Sequence, residues 1–184
     1  MRERDAMRKA LYFLGILDDS DVAWMMRNGK KMTLKAGTVL IEQEEPTEWL
    51  YFVLDGAFVV YTRSAPRIAV LKAGEVIGEI SFVDSRPPTA SVRAEVESRV
   101  GAIPRDILTE KLQDDVAFAA RFYQSLSVFL ADRLRTTVGS LGVQELELDE
   151  NIEDVDELAP HLLSHVSMAG TRFAEMQRRD WGPA

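Results

Sequence analysis

The sequence predicts an α+β fold, an antiparallel β-sandwich or barrel with helices on both flanks, and three observations carry that reading. From Met32 to Ala102 the chain breaks into short runs rich in Val, Ile, Tyr and Phe, separated by Gly, Pro, Glu and Asp at close spacing. That is the pattern of antiparallel strands joined by tight turns. Both flanks change to apolar residues at three- and four-residue steps, the period of amphipathic helices. With 184 residues and 46% apolar content, the chain can bury one domain and still carry an appendage.

In chain order, Asp5 to Leu14 holds Ala6, Met7, Ala10, Leu11 and Leu14 at helical spacing, and Gly15 ends the run. Leu17 to Met26 reads as a turn and a second helix, with Ser20 or Asp18 as its N-cap. Both helices are expected to cover one end of the barrel. Strands are expected at Lys31–Leu34, Val39–Ile41, Trp49–Leu54, Ala57–Thr62, Ile68–Leu71, Thr89–Ala94 and Ser98–Pro104. Asp55-Gly56 between two apolar runs marks a hairpin.

Ile107–Leu112 and Val116–Val138 are expected to be helical, the second long and amphipathic. Its stripe of Phe122, Leu126, Phe129, Leu130, Leu134 and Val138 must be buried, against its own barrel or also against a twin helix in a homodimer. Residues 139–157 read as an acidic, self-repelling linker. Leu158, Leu162, Val166, Ala169, Phe173 and Met176 then mark a final amphipathic helix over 158–178, with Pro160 tolerated near its first turn. Its apolar face either folds back on the domain, docks on a second protomer or waits for a protein partner, and the first two are the simpler expectations.

Charge narrows the function. The net charge is −8, yet residues 145–184 contain ten acidic and three basic residues, which leaves −1 for the first 144. No basic stripe offers a nucleic-acid backbone what it needs. With no cysteine, disulfides, thiol catalysis and cysteine-ligated zinc are excluded. Met1-Arg-Glu-Arg-Asp leads into no long apolar run, so neither a signal peptide nor a membrane span is expected and the default compartment is the cytoplasm.

The stretch Gly74 to Ala94 makes the most unusual demands. Two Gly-Glu pairs four residues apart precede Ile80, Ser81, Phe82 and Val83, a short helical turn whose first N–H groups form an anion seat. Gly78 allows close backbone approach or positive φ. Pro87 and Pro88 hold the chain extended without N–H groups of their own, and Thr89, Ala90 and Ser91 supply donors on a slim backbone.

This stretch resembles the phosphate-binding cassette of cyclic-nucleotide-binding domains, and the resemblance extends over residues 5–138. Leu34 to Ile41 and Trp49 to Gly56 are similar to the family's early strands, and Phe122 to Leu134 to the long helix that closes the pocket in its bacterial, catabolite-activator-like members. The resemblance implies a jelly-roll barrel. It also implies that Gly78 gives close backbone approach, that Glu79 accepts a ribose 2′-hydroxyl, and that the N–H groups of Ile80, Ser81, Thr89 and Ala90 face a cyclic phosphate. Ala90 stands where members selective for cGMP tend to carry threonine, which implies cAMP.

One position departs from the family pattern: its phosphate-binding arginine falls at Pro88. A guanidinium–phosphate contact contributes about 1.5–3 kcal/mol, so its loss corresponds to roughly a tenfold to hundredfold weaker affinity. Arg86 lies about 6–7 Å away along an extended segment, within reach of its long side chain, although a solvated loop position is the simpler account. In the loop Gln43 to Pro46, Glu44 replaces a glycine that many relatives carry, which implies altered turn geometry over the pocket. The relatives' winged helix is also missing: the 42 residues after Gly142 are too few and too acidic for one, so DNA binding by this chain is rejected.

Catalysis and metal binding find little support. No Gly-x-Ser-x-Gly and no histidine within residues 5–138 can support a nucleophile, and Glu79 with Asp84 as an acid–base pair is a weaker account than ribose binding. Glu157, His161 and His165 are spaced to share one helix face, but a fourth zinc ligand is missing and a polar face is the simpler reading. Two functions remain: a non-enzymatic small-ligand sensor of the cyclic-nucleotide type, without a cofactor, or a module that keeps the fold without the nucleotide and serves dimerisation or protein docking.

Overall fold

A computed structural model describes residues 13–140 and 160–183. Most of the expected first helix, the acidic linker from residue 141 and Glu157 lie outside the described residues, as do the side chains of Val138, His161, Leu162, His165 and Val166. Among the described residues, eight strands form two four-stranded antiparallel sheets: β1 (Lys30–Leu34), β2 (Val39–Ile41), β3 (Trp49–Asp55), β4 (Ala57–Tyr61), β5 (Ala69–Lys72), β6 (Val76–Ile77), β7 (Ser91–Ala94) and β8 (Ser98–Pro104). One sheet has the order β1-β8-β3-β6 and the other β2-β7-β4-β5, the arrangement of a jelly roll. Only β6 escapes the sequence pattern, because two residues are too few to display an alternation of period two.

Strand β3 explains why two cores form. Its side chains alternate between faces, so Tyr51 and Val53 enter the sandwich with Phe58, Ile77 and Val100. Leu50, Phe52 and Leu54 point outward and are covered by helices. Those helices are α1 (Asp19–Asn28), α3 (Arg105–Asp114), α4 (Val116–Ser140) and α5 (Pro160–Arg178), while α2 (Glu79–Asp84) lies in the cassette. Phe13, Phe118, Phe122, Phe129 and Met25 fill the covered side, and each such buried side chain contributes about 1.5–3 kcal/mol.

Of the two N-cap candidates for α1, Asp18 is the cap: its side chain accepts from the N–H of Asp21, and the Asp21 carboxylate answers with the N–H of Asp18. Arg121 of α4 donates to both oxygens of the buried Asp21, at 2.6 and 2.7 Å, and fastens the long helix to this cap.

The last helix folds back onto the domain. Ala169, Phe173, Met176 and Trp181 join the helix-covered core. Gly182 N–H donates to Met26 O at 2.9 Å, and the Gln177 amide donates to Leu54 O at 2.6 Å. Trp181 occupies a notch made by two missing side chains: a Cβ on Gly101 would lie 2.1 Å from its ring, and one on Gly29 2.8 Å.

The long helix corrects one expectation. The buried stripe runs Phe118, Phe122, Leu126 and Phe129, whereas Leu134 is 65% exposed. Stepping four residues on from Phe129 leads to Arg133.

Candidate functional site

Gly78 is the pivot of the cassette. It has φ +91°, and a Cβ there would lie 3.2 Å from Trp49 O, so neither conformation nor space suits another residue. It is the N-cap of α2, and no side chain caps that helix. Arg105, at the start of α3, holds α2 in place by donating to Ser81 O at 2.6 Å and to Thr47 O at 3.0 Å. Phe82 of α2 stacks edge-on against Phe122 of α4, with centroids 6.0 Å apart. The cassette and the long helix therefore share a packed contact.

Between α2, the prolines and the second sheet lies a cavity of about 170 Å³. Its inner wall is apolar, with Ile41, Val60, Leu71, Ile77 and Val92; its polar rim carries Glu79, Asp84, Arg86, Thr89 and Arg133. The hollow is open, and among the described residues no side chain plugs it. Of the residues singled out in the sequence, Gly78, Glu79, Ile80, Ser81, Arg86, Thr89 and Ala90 all line it. Ser91 is placed differently: its buried hydroxyl accepts from Gln43 N–H at 2.9 Å and faces Glu42. Pro88 is buried in the cavity wall, whereas Arg86 is exposed at the rim with its N–H donated to Asp84.

Glu44 takes a left-handed conformation that glycine adopts more readily. Its φ is +70°, and its N–H donates to Pro88 O at 2.8 Å. A left-handed non-glycine residue carries a conformational cost, and the hydrogen bond pins the loop to the cassette.

Sequence reasoning missed Arg133. It reaches from α4 to the cavity, donating to Glu79 Oε1, to Glu75 Oε2 at 2.9 Å and to Val76 O at 3.1 Å. Both carboxylates are almost completely buried, with Glu75 2% and Glu79 3% exposed. Burial pushes the Glu79 carboxyl above the usual carboxylate range; Arg133 and the nearby main-chain N–H groups oppose that rise, and the like charge of Glu75 adds to it. The signal was present in the sequence, because the steps 122, 126, 129, 133 place Arg133 on the buried face.

Glu79 is engaged by Arg133 and Asp84 by the N–H of Arg86, and among the described residues no group of three or more His, Asp or Glu is arranged to hold a metal ion. Nor is any helix among them long and apolar enough to cross a membrane.

Comparison with known proteins agrees with this geometry. Residues 31–115 match the family model of the cyclic nucleotide-binding domain. No curated protein sequence matches. Among solved structures, the N-terminal domain of a transcriptional regulator from Streptomyces coelicolor A3(2) is 26% identical, with 73% of this chain and 93% of that one covered and a TM-score of 0.56. A cyclic nucleotide-binding domain from Methylobacillus flagellatus KT is 21% identical over 74% of this chain and 84% of that one, with a TM-score of 0.64. The regulatory subunit of a cAMP-independent protein kinase A from Trypanosoma brucei is 21% identical over 72% of this chain and 47% of that one, with a TM-score of 0.52. Jelly-roll topology and cassette agree with the match of residues 31–115 to the cyclic nucleotide-binding domain, and the tail helix α5 docks on the covered face of that fold.

Proposed function

We propose that the chain is a non-enzymatic, cytoplasmic sensor whose cavity takes a cyclic nucleotide or a related small anion and whose long helix relays occupancy. The single observation behind this reading is the open cavity bounded by both the cassette and Arg133 of α4, so that a bound ligand and the helix meet at one guanidinium. In this account Gly78, Ile80, Ser81, Thr89 and Ala90 present main-chain donors, Glu79 accepts a ribose hydroxyl, and Arg86 or Arg133 serves the phosphate in place of the arginine absent at position 88. Ala90 favours cAMP over cGMP. Domain limits of 5–138, a linker over 139–157 and a tail helix over 158–178 belong to the same proposal.

The experiment is thermal unfolding with millimolar cAMP and cGMP. A ligand at a hundredfold excess over Kd stabilises the native state by about 2.7 kcal/mol, so a clear rise in Tm, larger for cAMP, is the expected result. An unchanged Tm with both nucleotides removes the sensing account. Arg86→Ala then assigns the phosphate contact: a tenfold or greater loss of affinity identifies Arg86, and unchanged affinity leaves Arg133.

A second reading, the interaction module, has its own support. Pro88 fills the arginine's position and Arg133 is already engaged with Glu79, while Val116, Tyr123 and Leu134 of α4 are exposed apolar residues suited to a homodimer through that helix. The trypanosomal relative is described as cAMP-independent, so a relative with this fold serves without that nucleotide. A dimer in light scattering that Leu134→Glu converts to monomer, with no nucleotide response, would select this reading.

A further inference from the structure

The cavity has two sides that do not hold each other. Ile80 and Ser81 line it from α2, and Thr89 and Ala90 line it from the segment after the prolines. Among the described residues no hydrogen bond passes directly between residues 78–84 and 87–91, and Arg86, which lies between them, donates its N–H only locally, to Asp84. Both sides are tied instead to loop 42–48. On the proline side, Glu44 N–H donates to Pro88 O at 2.8 Å and Gln43 N–H to the Ser91 hydroxyl at 2.9 Å. Toward α2 the tie is one guanidinium: Arg105 donates to Ser81 O at 2.6 Å and to Thr47 O at 3.0 Å, while its main-chain N–H donates to Glu48 O at 2.9 Å.

We propose that Arg105 is a positioning residue of the ligand site: by clamping α2 to loop 42–48, it sets the distance between the two rows of main-chain donors across the cavity. The proposal rests on the reading of the cavity as a ligand site and names the residue that holds that site to size.

Arg105 does not line the cavity, so it acts only through the carbonyls it holds. Two donors of one planar group reach two separate segments, which the point charge of a lysine does not reproduce. The guanidinium also lies 5.4 Å from the Phe82 ring, which limits how the fork can turn. With six residues, α2 is too short to keep its place unaided. Width matters because a ligand that bridges both rows needs donors within about 2.7–3.2 Å on each side, and slack on one side loses those bonds.

The test is calorimetric titration of cAMP into the full chain, at a temperature where every variant is folded. Arg105→Lys is expected to weaken cAMP about tenfold, the equivalent of one charge-assisted hydrogen bond. Ser91→Ala, which frees the loop from the proline side, is expected to weaken it about threefold. Because both changes loosen the same bridge, the double variant should bind about as weakly as Arg105→Lys alone. Independent sites would instead give the product, roughly thirtyfold. An arginine that is merely structural would lower Tm and leave the affinity of the folded protein unchanged.

In a protein that binds cAMP, unchanged affinity in Arg105→Lys or a multiplicative double variant overturns the proposal. Arg105→Gln, which keeps an amide donor for one carbonyl, takes its place should the lysine variant not fold. If wild type binds no cAMP, the ligand reading fails and the bridge is read without ligand, from hydrogen exchange at Glu44 N–H. Exchange about tenfold faster in Arg105→Lys, with β4 still protected, upholds the clamp, and unchanged exchange overturns it.

Discussion

The outer face of the β1-β8-β3-β6 sheet and the mouth of the cassette are built from opposite materials. On the outer face, Phe13, Phe52, Phe118 and Phe122 interlock with centroids 5.1 to 5.7 Å apart, and Trp181 fills the last notch. At the mouth, small residues, prolines and charges rim an open cavity with an apolar inner wall, while Ile80 and Val83 stand exposed. The first region spends its side chains on stability. The second leaves room, and it buries two carboxylates against the Arg133 guanidinium, an arrangement that is costly to desolvate.

The contrast can be broken or sharpened by substitution. The largest effect is expected from Phe122→Ala, which empties a fully buried site in contact with Phe13, Phe82 and Phe118. A loss of about 3–5 kcal/mol in urea unfolding is expected, and a loss below 1 kcal/mol would mean that the covered face is loosely packed. Gly101→Val comes next. Its side chain collides with the Trp181 ring, and overpacking of this kind costs about 1–3 kcal/mol. Combined with Trp181→Ala, it should cost little more than Trp181→Ala alone.

At the mouth the effects are smaller and depend on pH. Glu79 has a raised carboxyl in the folded state, so its ionisation works against folding. The stability it contributes is present below the usual 4.5 of the unfolded carboxyl and is lost as pH rises through the folded value. Glu79→Gln cannot ionise, so wild type should lose ground to this variant between pH 4 and pH 7. A constant difference over that range would place the carboxyl in the ordinary range. The smallest effect is expected from Glu44→Gly, which relieves a left-handed backbone and should stabilise by about 0.5–1 kcal/mol, or roughly 1–4 °C in Tm. A drop would show that the exposed pair between Glu44 and Arg63 outweighs the strain.

How much the sequence reveals follows the same division. Alternation in Trp49–Leu54 and the three- and four-residue steps through Phe122 mark both cores, because burial acts on every residue of an element and repeats with its period. The cassette residues that line the cavity, Gly78 to Ser81, Arg86, Thr89 and Ala90, were legible from their pattern. Arg133 was legible only as a position on the buried face of its helix: its role needs the partner carboxylates, and Glu75 and Glu79 lie more than fifty positions away. Ser91 was read as a donor to the cavity, yet its hydroxyl serves the loop at Gln43, a choice between two faces of one strand end that composition does not encode. The docking of α5 was one of three options, because an apolar stripe says that it is covered and not by what.

The glycine notch carries a practical corollary. In a shortened chain ending at residue 140, the depression left by Gly29 and Gly101 and the rings of Phe13 and Phe52 would meet water directly. Such a patch invites neighbouring molecules to stick. The trimmed protein should therefore scatter light and clump as it is concentrated, and a synthetic peptide spanning 160–184 should clear the solution by restoring the missing lining.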